Sequence, residues 1–576
     1  MTLAEAQRAG AAEAPADTVL SVEGLTVSVA TEMGLRPLVR DVSFSLRRGE
    51  TLAIAGESGS GKSITSLAVM GLLPVNVRAT AGAVRLSGTD LLRLPEGRLR
   101  GIRGDRIAMI FQEPMTSLNP VMTVGAQLVE AIEAHEPMPR GQAQARALEA
   151  LRAVRLSEPE HRLKQFPHEL SGGMRQRVMI AMAIALRPDV LIADEPTTAL
   201  DVTVQREVLD LLRDLRREMG TAIVLITHDM GVVAEMADRV VVMKDGAIVE
   251  DGPVRQVFEA PREGYTQALL AAVPRMGTRP MDERRARTAP VCQLRDLTVG
   301  FDLHRGLLGR ATHRVHAVEG VSLEIQAGET FALVGESGCG KSTIAKAIAG
   351  LVPFGGEIEI AGHKLHGQRD VTRAVRRDAQ IVFQDPAASL DPRMRVGDLV
   401  AEPLAIHGIG TRSLRRAAVE QLFEQVGLSQ GQVDRYPHEF SGGQRQRICI
   451  ARALALRPKL IVADESVSAL DVSVQARVLQ LLKDLQQATG VSFLFISHDM
   501  AVVDSIADRV AVMFLGQIVE MGTRAQVFGD PRHPYTRRLI EAVPIPDPAH
   551  VRPPRARMAS EVPSPVRRRD DPPARL

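Results

Sequence analysis

The sequence contains no tryptophan, and aromatic residues make up only 3% of its 576 residues. Proteins use aromatic side chains as stacking platforms for nucleic-acid bases, so this scarcity argues against binding by base stacking. The formal net charge is only +2, which gives no general attraction to nucleic acid or to an acidic membrane surface. We therefore expect no nucleic acid among the partners of this protein.

Cysteine is also scarce. Cys292, Cys339 and Cys449 lie far apart and form neither a disulfide framework nor a metal-ligand spacing, which fits a reducing compartment. The first 17 residues have no apolar core of the signal-peptide kind, and no run approaches the roughly 20 apolar residues that a membrane-spanning helix needs. We predict a protein that neither spans a membrane nor is exported.

The length of the chain and an internal repeat indicate two domains. A chain of 576 residues exceeds the size at which one hydrophobic core stops growing. Residues 170–205 recur at residues 440–475, with 22 of 36 positions identical in an alignment without gaps. The predicted segments are a disordered N-terminal tail at 1–17, a first domain at 18–273, a linker at 274–290, a second domain at 291–546 and a disordered tail rich in Pro and Arg at 547–576.

Each half contains a glycine-rich loop between a short apolar strand and a helical pattern. ETLAIAG at residues 50–56 leads into GESGSGKS, and FALVGESGCGKS at residues 331–342 repeats the arrangement. This context is typical of a P-loop, in which backbone N–H groups and the helix N-terminus surround phosphate oxygens. The alternative, two glycine-rich turns without a ligand, does not account for an eight-residue pattern that occurs twice in the same context.

The two loops therefore predict two ATP sites. The lysine of each loop is expected to reach the β- and γ-phosphates, and the serine that follows it is expected to place its hydroxyl on Mg²⁺. The predicted nucleotide-binding residues are Gly56, Glu57, Ser58, Gly59, Ser60, Gly61, Lys62, Ser63 and Ile64 in the first half and Gly335, Glu336, Ser337, Gly338, Cys339, Gly340, Lys341, Ser342 and Thr343 in the second.

A pair of carboxylates ends an apolar strand in each half, in VLIADE at 190–195 and LIVADE at 460–465. Four consecutive apolar residues predict a strand buried on both faces, which delivers the carboxylates at its end. We predict that the aspartate holds Mg²⁺ and that the glutamate orients or deprotonates the attacking water. These residues are Asp194 and Glu195 in the first half and Asp464 and Glu465 in the second.

Further apolar strands end in a histidine and in a glutamine in each half. The residues are His228 and Gln112 in the first half and His498 and Gln384 in the second. A lone histidine after a strand is more often structural, and a lone glutamine is an ordinary loop amide. However, the histidines recur at an offset of 498 − 228 = 270, the same as 464 − 194 for the aspartates. We predict catalytic roles for all four side chains, with the glutamines also near Mg²⁺.

Together these motifs resemble an ABC ATPase that is present twice. The resemblance rests on the P-loop, the glutamine, LSGGMRQR or FSGGQRQR, the Asp-Glu pair, ALD at 199–201 and 469–471 and the final histidine. It covers about residues 19–545. It implies an α/β fold with two tandem P-loop NTPase domains, each with a RecA-like core, a β subdomain and an inserted α-helical subdomain.

The end of each half indicates a particular subfamily of ABC ATPases. RHPYTRRLIEAVP at 532–544 resembles the C-terminal segment of peptide and nickel importer ATPases, and REGYTQALLAAVP at 262–274 is a diverged copy. Some peptide importer ATPases carry a C-terminal cluster of four cysteines. A chain with three cysteines excludes that cluster.

The resemblance also implies that the halves pair head to tail, with each ATP between the P-loop of one half and the Ser-Gly-Gly turn of the other. The turn residues are Ser171, Gly172 and Gly173 in the first half and Ser441, Gly442 and Gly443 in the second. Phe301 is the candidate for stacking on adenine, and Val29 stands in its place in the first half. Ile64 replaces the hydroxyl of Thr343, and Ser466 replaces Pro196. None of these differences removes a metal ligand or the presumed base, so two hydrolysing sites are predicted.

The predicted function is an ATP-hydrolysing importer subunit that energises the uptake of short peptides, either dipeptides and oligopeptides or glutathione-like peptides. Its predicted partners are two transmembrane permease subunits and, indirectly, an extracytoplasmic solute-binding protein. It would act peripherally at the cytoplasmic face of the inner membrane. The loops EPMTSLNP at 113–120 and DPAASLDP at 385–392 are the expected permease contacts, unless they are plain turns.

Two alternatives keep the tandem architecture. The first changes the cargo to nickel or another small solute, which this chain does not decide. The second is a tandem ABC ATPase acting on ribosomes or nucleic acid. Such ATPases usually have a long charged linker between the halves, whereas the linker of this chain is short and its aromatic content is low. Co-purification with ribosomes in place of membranes would contradict the importer hypothesis.

Overall fold

A computed structural model of the protein describes residues 17–198, 200–279, 288–305, 311–468, 470–550 and 566–568. Most of both predicted tails and the centre of the predicted linker lie outside the described residues. In the described part of the chain, no helix combines the length and apolar character that crossing a membrane requires. The chain divides into two compact units, the first built mainly from residues up to 271 and the second mainly from 272–543.

The first unit contains two sheets. The first is antiparallel, with the strand order Gly34–Arg47, Thr18–Thr31, Val77–Leu86 and Thr89–Asp90. The second has the order Ala247–Pro253, Arg239–Lys244, Thr51–Ala55, Ala222–Thr227, Val190–Asp194 and Ile107–Ile110. All neighbours in the second sheet are parallel except the first pair. Parallel strands need crossover connections, and helices supply most of them.

The helices of the first unit cover the parallel sheet or form an inserted helical part between Gln112 and Leu170. They are Lys62–Met70, Glu96–Ile102, Pro114–Ser117, Val124–Glu133, Arg140–Ala153, Pro159–Arg162, Gly172–Ile184, Val202–Met219, Met230–Met236, Val254–Glu259 and Gly264–Ala272, with 3₁₀ turns at Leu91–Arg93 and Pro167–Glu169.

The second unit repeats both sheets. Its antiparallel sheet has the order His363–Leu365, Gly355–Ile360, Pro290–Arg305, Ala311–Gln326 and Val566–Arg568, and the last strand falls within the segment predicted as a disordered tail. Its mainly parallel sheet has the order Ala379–Val382, Leu460–Asp464, Ser492–Ile496, Thr330–Val334, Arg509–Phe514 and Gln517–Thr523.

The helices of the second unit follow the same plan as those of the first. They are Lys341–Ile348, Arg373–Asp378, Pro386–Ser389, Val396–Ile406, Arg412–Gln425, Gly442–Leu454, Val472–Thr489, Met500–Ile506, Arg524–Gly529 and Pro534–Ala542, with 3₁₀ turns at Gln368–Asp370, Gln430–Gln432 and Pro437–Glu439.

The strand that ends at Asp194 is buried on both faces, as its composition predicts. Leu191 and Ala193 pack into the apolar cluster shared with the helical part, whereas Val190 and Ile192 pack into the cluster shared with the antiparallel sheet. Successive side chains of a strand point to opposite faces, so an unbroken apolar run fills two cores at once. The strand is thereby held from both sides where it delivers its carboxylates.

The start of the predicted linker packs on the second unit. The backbone N–H of Gly277 donates to Oδ2 of Asp504 at 2.7 Å, and Arg524 donates to Oδ1 of the same carboxylate at 2.8 Å. Arg524 also donates to the carbonyl of Arg279 at 3.2 Å. The aspartate is fully buried and the arginine is only 4% exposed. A buried ion pair therefore attaches residues 277–279 to the second unit.

Candidate functional site

The phosphate loop of the first unit lies between a fully buried strand, Thr51–Ala55, and the helix Lys62–Met70. The ammonium of Lys62 folds back over the loop, where Nζ donates to the carbonyls of Gly56 at 2.8 Å and Glu57 at 2.9 Å. The two hydrogen bonds place this buried ammonium over the loop, where it can also bind a phosphate.

The loop of the second unit has the same geometry. Nζ of Lys341 donates to the carbonyls of Gly335 at 2.8 Å and Glu336 at 2.9 Å, and the lysine is 4% exposed. The strand before it, Thr330–Val334, is fully buried, and its helix begins at Lys341. The predicted strand, loop and helix are therefore present in both units.

The first glycine of each loop has no room for a side chain. Gly56 and Gly335 have φ values of +146° and +148°. A Cβ at these positions would lie 2.3 Å from the carbonyl oxygen of Met243 and 2.2 Å from that of Met513. Both atoms are backbone of the neighbouring strand, so the clash is not relieved by a side-chain rotation.

We expect Gly335→Ala to weaken nucleotide binding at the second loop and to destabilise the second unit by about 1–3 kcal/mol, because the loop must move away from Met513. Nucleotide titration and thermal unfolding measure the two effects. Gly529→Ala is the matched control, since nothing lies within 4 Å of its added Cβ. Unchanged nucleotide affinity in Gly335→Ala would show that the loop conformation is not needed for binding.

The serine after each lysine meets the aspartate of the carboxylate pair. Oγ of Ser63 donates to Oδ1 of Asp194 at 3.1 Å, and Oγ of Ser342 donates to Oδ1 of Asp464 at 2.9 Å. Burial raises the pKa of Asp194 to about 6, against the effect of the serine hydrogen bond, and it raises the pKa of Asp464 in the same way. Each unit thus brings together a hydroxyl and a buried carboxylate that favours a nearby positive charge.

The glutamate of each pair sits in an unusual backbone conformation. Glu195 and Glu465 both have a φ of +47°, in the left-handed region that non-glycine residues rarely adopt. The backbone N–H of each still donates to the adjacent strand, to Ile226 at 2.9 Å and Ile496 at 3.0 Å. The turn therefore redirects the side chain at the strand end while the sheet pairing continues, a conformation often found at functional sites.

Three side chains surround the carboxylate of Glu195. Nε2 of Gln112 donates to it at 2.9 Å, Oγ1 of Thr198 donates at 2.8 Å, and Nδ1 of His228 lies 3.2 Å away. Burial opposes the charge of Glu195, but the hydrogen bonds of His228 and Thr198 hold its pKa at about 2. The pKa of His228 is raised by the same carboxylate although burial acts against it. The carboxylate is therefore ionised at neutral pH.

Glu465 has a similar but not identical environment. Nε2 of Gln384 donates to it at 2.9 Å, and Nδ1 of His498 lies 3.5 Å from it. Burial again opposes the charge, and the hydrogen bond with His498 lowers the pKa of the carboxyl. Ser468, which corresponds to Thr198, donates to the backbone carbonyl of Glu465 at 2.9 Å and not to its carboxylate. The two units thus differ in how firmly the glutamate is held.

In the structure, both glutamines are hydrogen-bonded to the glutamates that are predicted to be catalytic. Gln112 and Gln384 each donate to a glutamate carboxylate, and the serine–aspartate pairs predicted to share a metal with them are joined separately. Their predicted part in holding Mg²⁺ stays a prediction.

The Ser-Gly-Gly turns begin the longer helices Gly172–Ile184 and Gly442–Leu454. Ser171 and Ser441 are the exposed N-caps, and their hydroxyls accept hydrogen bonds from the backbone three residues later at 3.3 and 3.4 Å. Positive helix ends with exposed caps are suited to binding anions.

The predicted adenine contact differs between the units. Phe301 is 42% exposed and lies opposite Val315 in its sheet. Val29, at the corresponding place, is half-buried against the apolar core and lies opposite Arg36. At this position, therefore, the second unit has an exposed aromatic ring and the first unit does not. The stacking role of Phe301 stays a prediction.

Two residues near the phosphate loops were missed in the sequence. The hydroxyl of Tyr265 accepts a hydrogen bond from the backbone N–H of Glu57 at 3.2 Å, and the hydroxyl of Tyr535 accepts one from Glu336 at 3.1 Å. Both tyrosines lie in the repeated segments at the ends of the halves. Their offset, 535 − 265 = 270, equals that of the carboxylates and was the available signal.

Family models match both halves of the chain. The ABC transporter model matches residues 39–198 and 318–468, and the model of the oligopeptide/dipeptide transporter C-terminal region matches 249–297 and 519–570. The chain belongs to the ABC transporter ATP-binding proteins, with two ATPase domains, which confirms the predicted family, fold and ATPase class.

Among curated relatives, the chain is 51% identical to the glutathione import ATP-binding protein GsiA of Escherichia coli O157:H7, over 97% of this chain and 95% of that protein. It is 50% identical to GsiA of Escherichia coli K12 over the same shares. Among solved structures, it is similar to the dimeric bacterial ABC transporter cassette MJ0796, with 30% identity and a TM-score of 0.38, covering 41% of this chain and 99% of that cassette. A second structure of MJ0796 is described as bound to ADP and Pi, with the same values.

Proposed function

We propose that this chain is the ATP-hydrolysing subunit of an importer for glutathione or similar short peptides. The observation that carries the proposal is 51% identity, over 97% of the chain, to a glutathione import ATP-binding protein. The peptide transporter C-terminal model supports it, because it matches a segment after each ATPase domain. Nickel is the alternative cargo, and the uptake experiment below distinguishes it from peptides.

At each site, the lysine of the loop would bind the phosphates and the glutamate would accept the proton of the attacking water. The ionised carboxylate of Glu195 supports this role, since a proton acceptor must be unprotonated at the working pH. The adjacent His228 would stabilise the same carboxylate and contact the γ-phosphate. Glu465 and His498 would act alike in the second unit.

The serine–aspartate pairs fit Mg²⁺. A hydroxyl and a carboxylate oxygen are ligands that Mg²⁺ prefers, and a cation would stabilise the charged form of Asp194, whose pKa burial raises to about 6. When bound, the ion would supply positive charge that neutralises part of the negative charge of the phosphates. Ser63 and Asp194 would hold it in the first unit, and Ser342 and Asp464 in the second.

Each ATP would also contact the Ser-Gly-Gly turn of the other half. Ser171 and Gly173 would close on the nucleotide of Lys341, and their counterparts in the second half on that of Lys62. The exposed helix N-termini at the turns support this assignment. Nucleotide binding would then favour a closed state and hydrolysis an open one, which is the two-state change that a transporter needs.

A cleft in the second unit supports docking of a permease segment. It has a volume of about 800 Å³ and lies beside Gln384 and the helix Val396–Ile406. Phe383 and Ile406, which line it, are 38% and 59% exposed. A groove that combines these apolar side chains with charged ones, such as Glu402 and Arg452, suits an amphipathic helix of a permease. We infer two permease subunits, a solute-binding protein that supplies them, and a peripheral position at the cytoplasmic face of the inner membrane.

The test is solute uptake in a strain that lacks the coding sequence. We expect the strain to lose uptake of radiolabelled glutathione, and the wild-type gene to restore it. A gene encoding Glu195→Gln and Glu465→Gln should not restore it although the protein is produced at the same level. Uptake of labelled dipeptides and of nickel is measured in parallel.

The cargo follows from which uptake is lost. Loss of nickel uptake alone would replace the peptide cargo in the proposal, and unchanged uptake of all three solutes would contradict it. Recovery of the tagged protein with ribosomes in place of membranes would contradict an importer of any kind.

A further inference from the structure

The C-terminal segment of each unit reaches the phosphate loop through a tyrosine. Tyr265 belongs to the helix Gly264–Ala272, and its hydroxyl accepts a hydrogen bond from the backbone N–H of Glu57 at 3.2 Å. Tyr535 belongs to the helix Pro534–Ala542 and accepts one from Glu336 at 3.1 Å. In both units the residue contacted directly follows the first glycine of the loop.

The residue held by the tyrosine also holds the lysine. In the first unit, the N–H of Glu57 donates to Tyr265 while its carbonyl accepts from Nζ of Lys62 at 2.9 Å. A short chain of hydrogen bonds therefore runs from the C-terminal helix through one residue of the loop backbone to the lysine. The position of the helix thus affects both the shape of the loop and the resting place of its positive charge.

The second unit contains the same chain of contacts. The carbonyl of Glu336 accepts from Nζ of Lys341 at 2.9 Å while its N–H donates to Tyr535. Burial raises the pKa of Tyr535, so its hydroxyl stays protonated. Repetition of both contacts in two units makes an accidental contact a poor explanation.

A carboxylate fixes the start of each tyrosine helix. Glu250 accepts hydrogen bonds from the backbone of Arg262 at 2.8 Å and of Glu263 at 3.3 Å. Glu520 accepts the equivalent pair from Arg532 and His533 at 2.8 and 3.0 Å. Hydrogen bonds to a charged acceptor are the stronger kind. The helices are therefore anchored to their own units just before the tyrosines.

The strand beside the loop supports each tyrosine ring. Nζ of Lys244 lies 5.0 Å from the ring centre of Tyr265, and the ring of Phe514 lies 4.3 Å from that of Tyr535. The residues just before these two provide the backbone that leaves no room beside the first glycine of each loop. The same strand end thus contacts both the loop and the tyrosine.

We propose that Tyr265 and Tyr535 are positioning residues for nucleotide binding, which hold the first peptide of each phosphate loop in its binding shape. The inference rests on the proposed role of the loops as ATP sites. The C-terminal segment of each unit would then have a role within the ATPase, because its tyrosine influences how tightly the loop binds phosphate.

Removing only the hydroxyl tests the role. In a phenylalanine variant the ring contacts remain, but the N–H of Glu57 or Glu336 loses its acceptor, and ATP must order a looser loop. We expect ATP affinity to fall about three- to tenfold at the affected site. Turnover at saturating ATP should stay within about twofold, because the bound nucleotide restores the loop.

The experiment uses the full-length chain with one loop disabled at a time. Tyr265→Phe is measured in a chain carrying Lys341→Ala, and Tyr535→Phe in a chain carrying Lys62→Ala, each against its lysine variant alone. Equilibrium titration with ATP gives the Kd. Tyr436→Phe is the control, since this third tyrosine is 37% exposed and lies outside the loops.

The outcomes separate the inference from the function on which it rests. A lower melting temperature with an unchanged Kd would show a purely structural role and overturn the inference. Unchanged ATP binding in the double variant Lys62→Ala and Lys341→Ala would overturn the ATP sites themselves.

A second measurement leaves Tyr265 and Tyr535 in place, so it tests the inference even if the phenylalanine variants do not fold. The chain has three tyrosines, so 3-fluorotyrosine labelling gives three ¹⁹F signals, and Tyr436→Phe identifies one of them. We expect the other two signals to shift when ADP is added. Two signals that stay unmoved at saturating ADP would contradict contact between the tyrosines and the loops that bind it.

Discussion

Replacing both Glu195 and Glu465 with glutamine is expected to reduce ATP turnover by at least about a hundredfold while ATP remains bound. An amide has the shape of a carboxylate but cannot accept the proton of the attacking water. The carboxylate of Glu195 is kept ionised, with a pKa of about 2, by His228 and Thr198 although burial acts against it. The phosphate loop positions Lys62 through the carbonyls of Gly56 and Glu57, and not through Glu195. Nucleotide binding should therefore persist in the variant.

Phosphate release measures the turnover, and retention of radiolabelled ATP through gel filtration measures the binding. Glu149→Gln makes the same chemical change at an exposed position of the helix Arg140–Ala153 and should leave both unchanged. Each single variant should fall well below the wild-type rate if the two sites work together. Full wild-type turnover in either single variant would contradict two coupled sites.

Local patterns predicted the parts of the site that belong to one element. The apolar run before Asp194 predicts a buried strand with a carboxylate at its end, and the strand is found there because both of its faces pack into cores. The glycine-rich loops predict phosphate binding in the same way, since glycine permits φ values near +146° that other residues rarely adopt. In both cases the sequence neighbours alone carry the physical cause.

Contacts between distant residues could not be predicted in this way. Gln112 meets Glu195 across 83 residues, and Tyr265 meets Glu57 across 208 residues. Glu195 and Tyr265 recur at an offset of 270 residues, which shows that they are repeated but does not say what they contact. The partner depends on strand order, which places the loop beside the end of Arg239–Lys244, and strand order is a property of the whole sheet.

The repeat also identifies a pair that the second unit alone contains. Asp504 and Arg524 form a buried ion pair at 2.8 Å, whereas Ala234 and Val254 stand 270 residues earlier in the first unit. The pair binds the start of the linker, since Asp504 also accepts from the backbone of Gly277 at 2.7 Å. An uncharged pair therefore suffices for the fold, and the charged pair is associated with holding residues 277–279.

Asp504→Ala is expected to destabilise the second unit by about 3–5 kcal/mol, because it leaves the guanidinium of Arg524 buried without its carboxylate. Denaturant unfolding followed by circular dichroism measures the loss, and the transition of the first unit should not move. The N–H of Gly277 loses its acceptor as well, so residues 277–279 should become more sensitive to limited proteolysis.

The double variant Asp504→Ala and Arg524→Val reproduces the residues of the first unit and is the matched control. We expect it to recover most of the unfolding free energy, since replacing a buried ion pair with apolar residues is often neutral, whereas removing one partner is not. Sensitivity of residues 277–279 to proteolysis should remain high, because neither apolar residue binds the linker backbone. If the double variant is as unstable as the single one, loss of the Asp504–Arg524 ion pair is not the cause, and the contacts to the linker carry the stability instead.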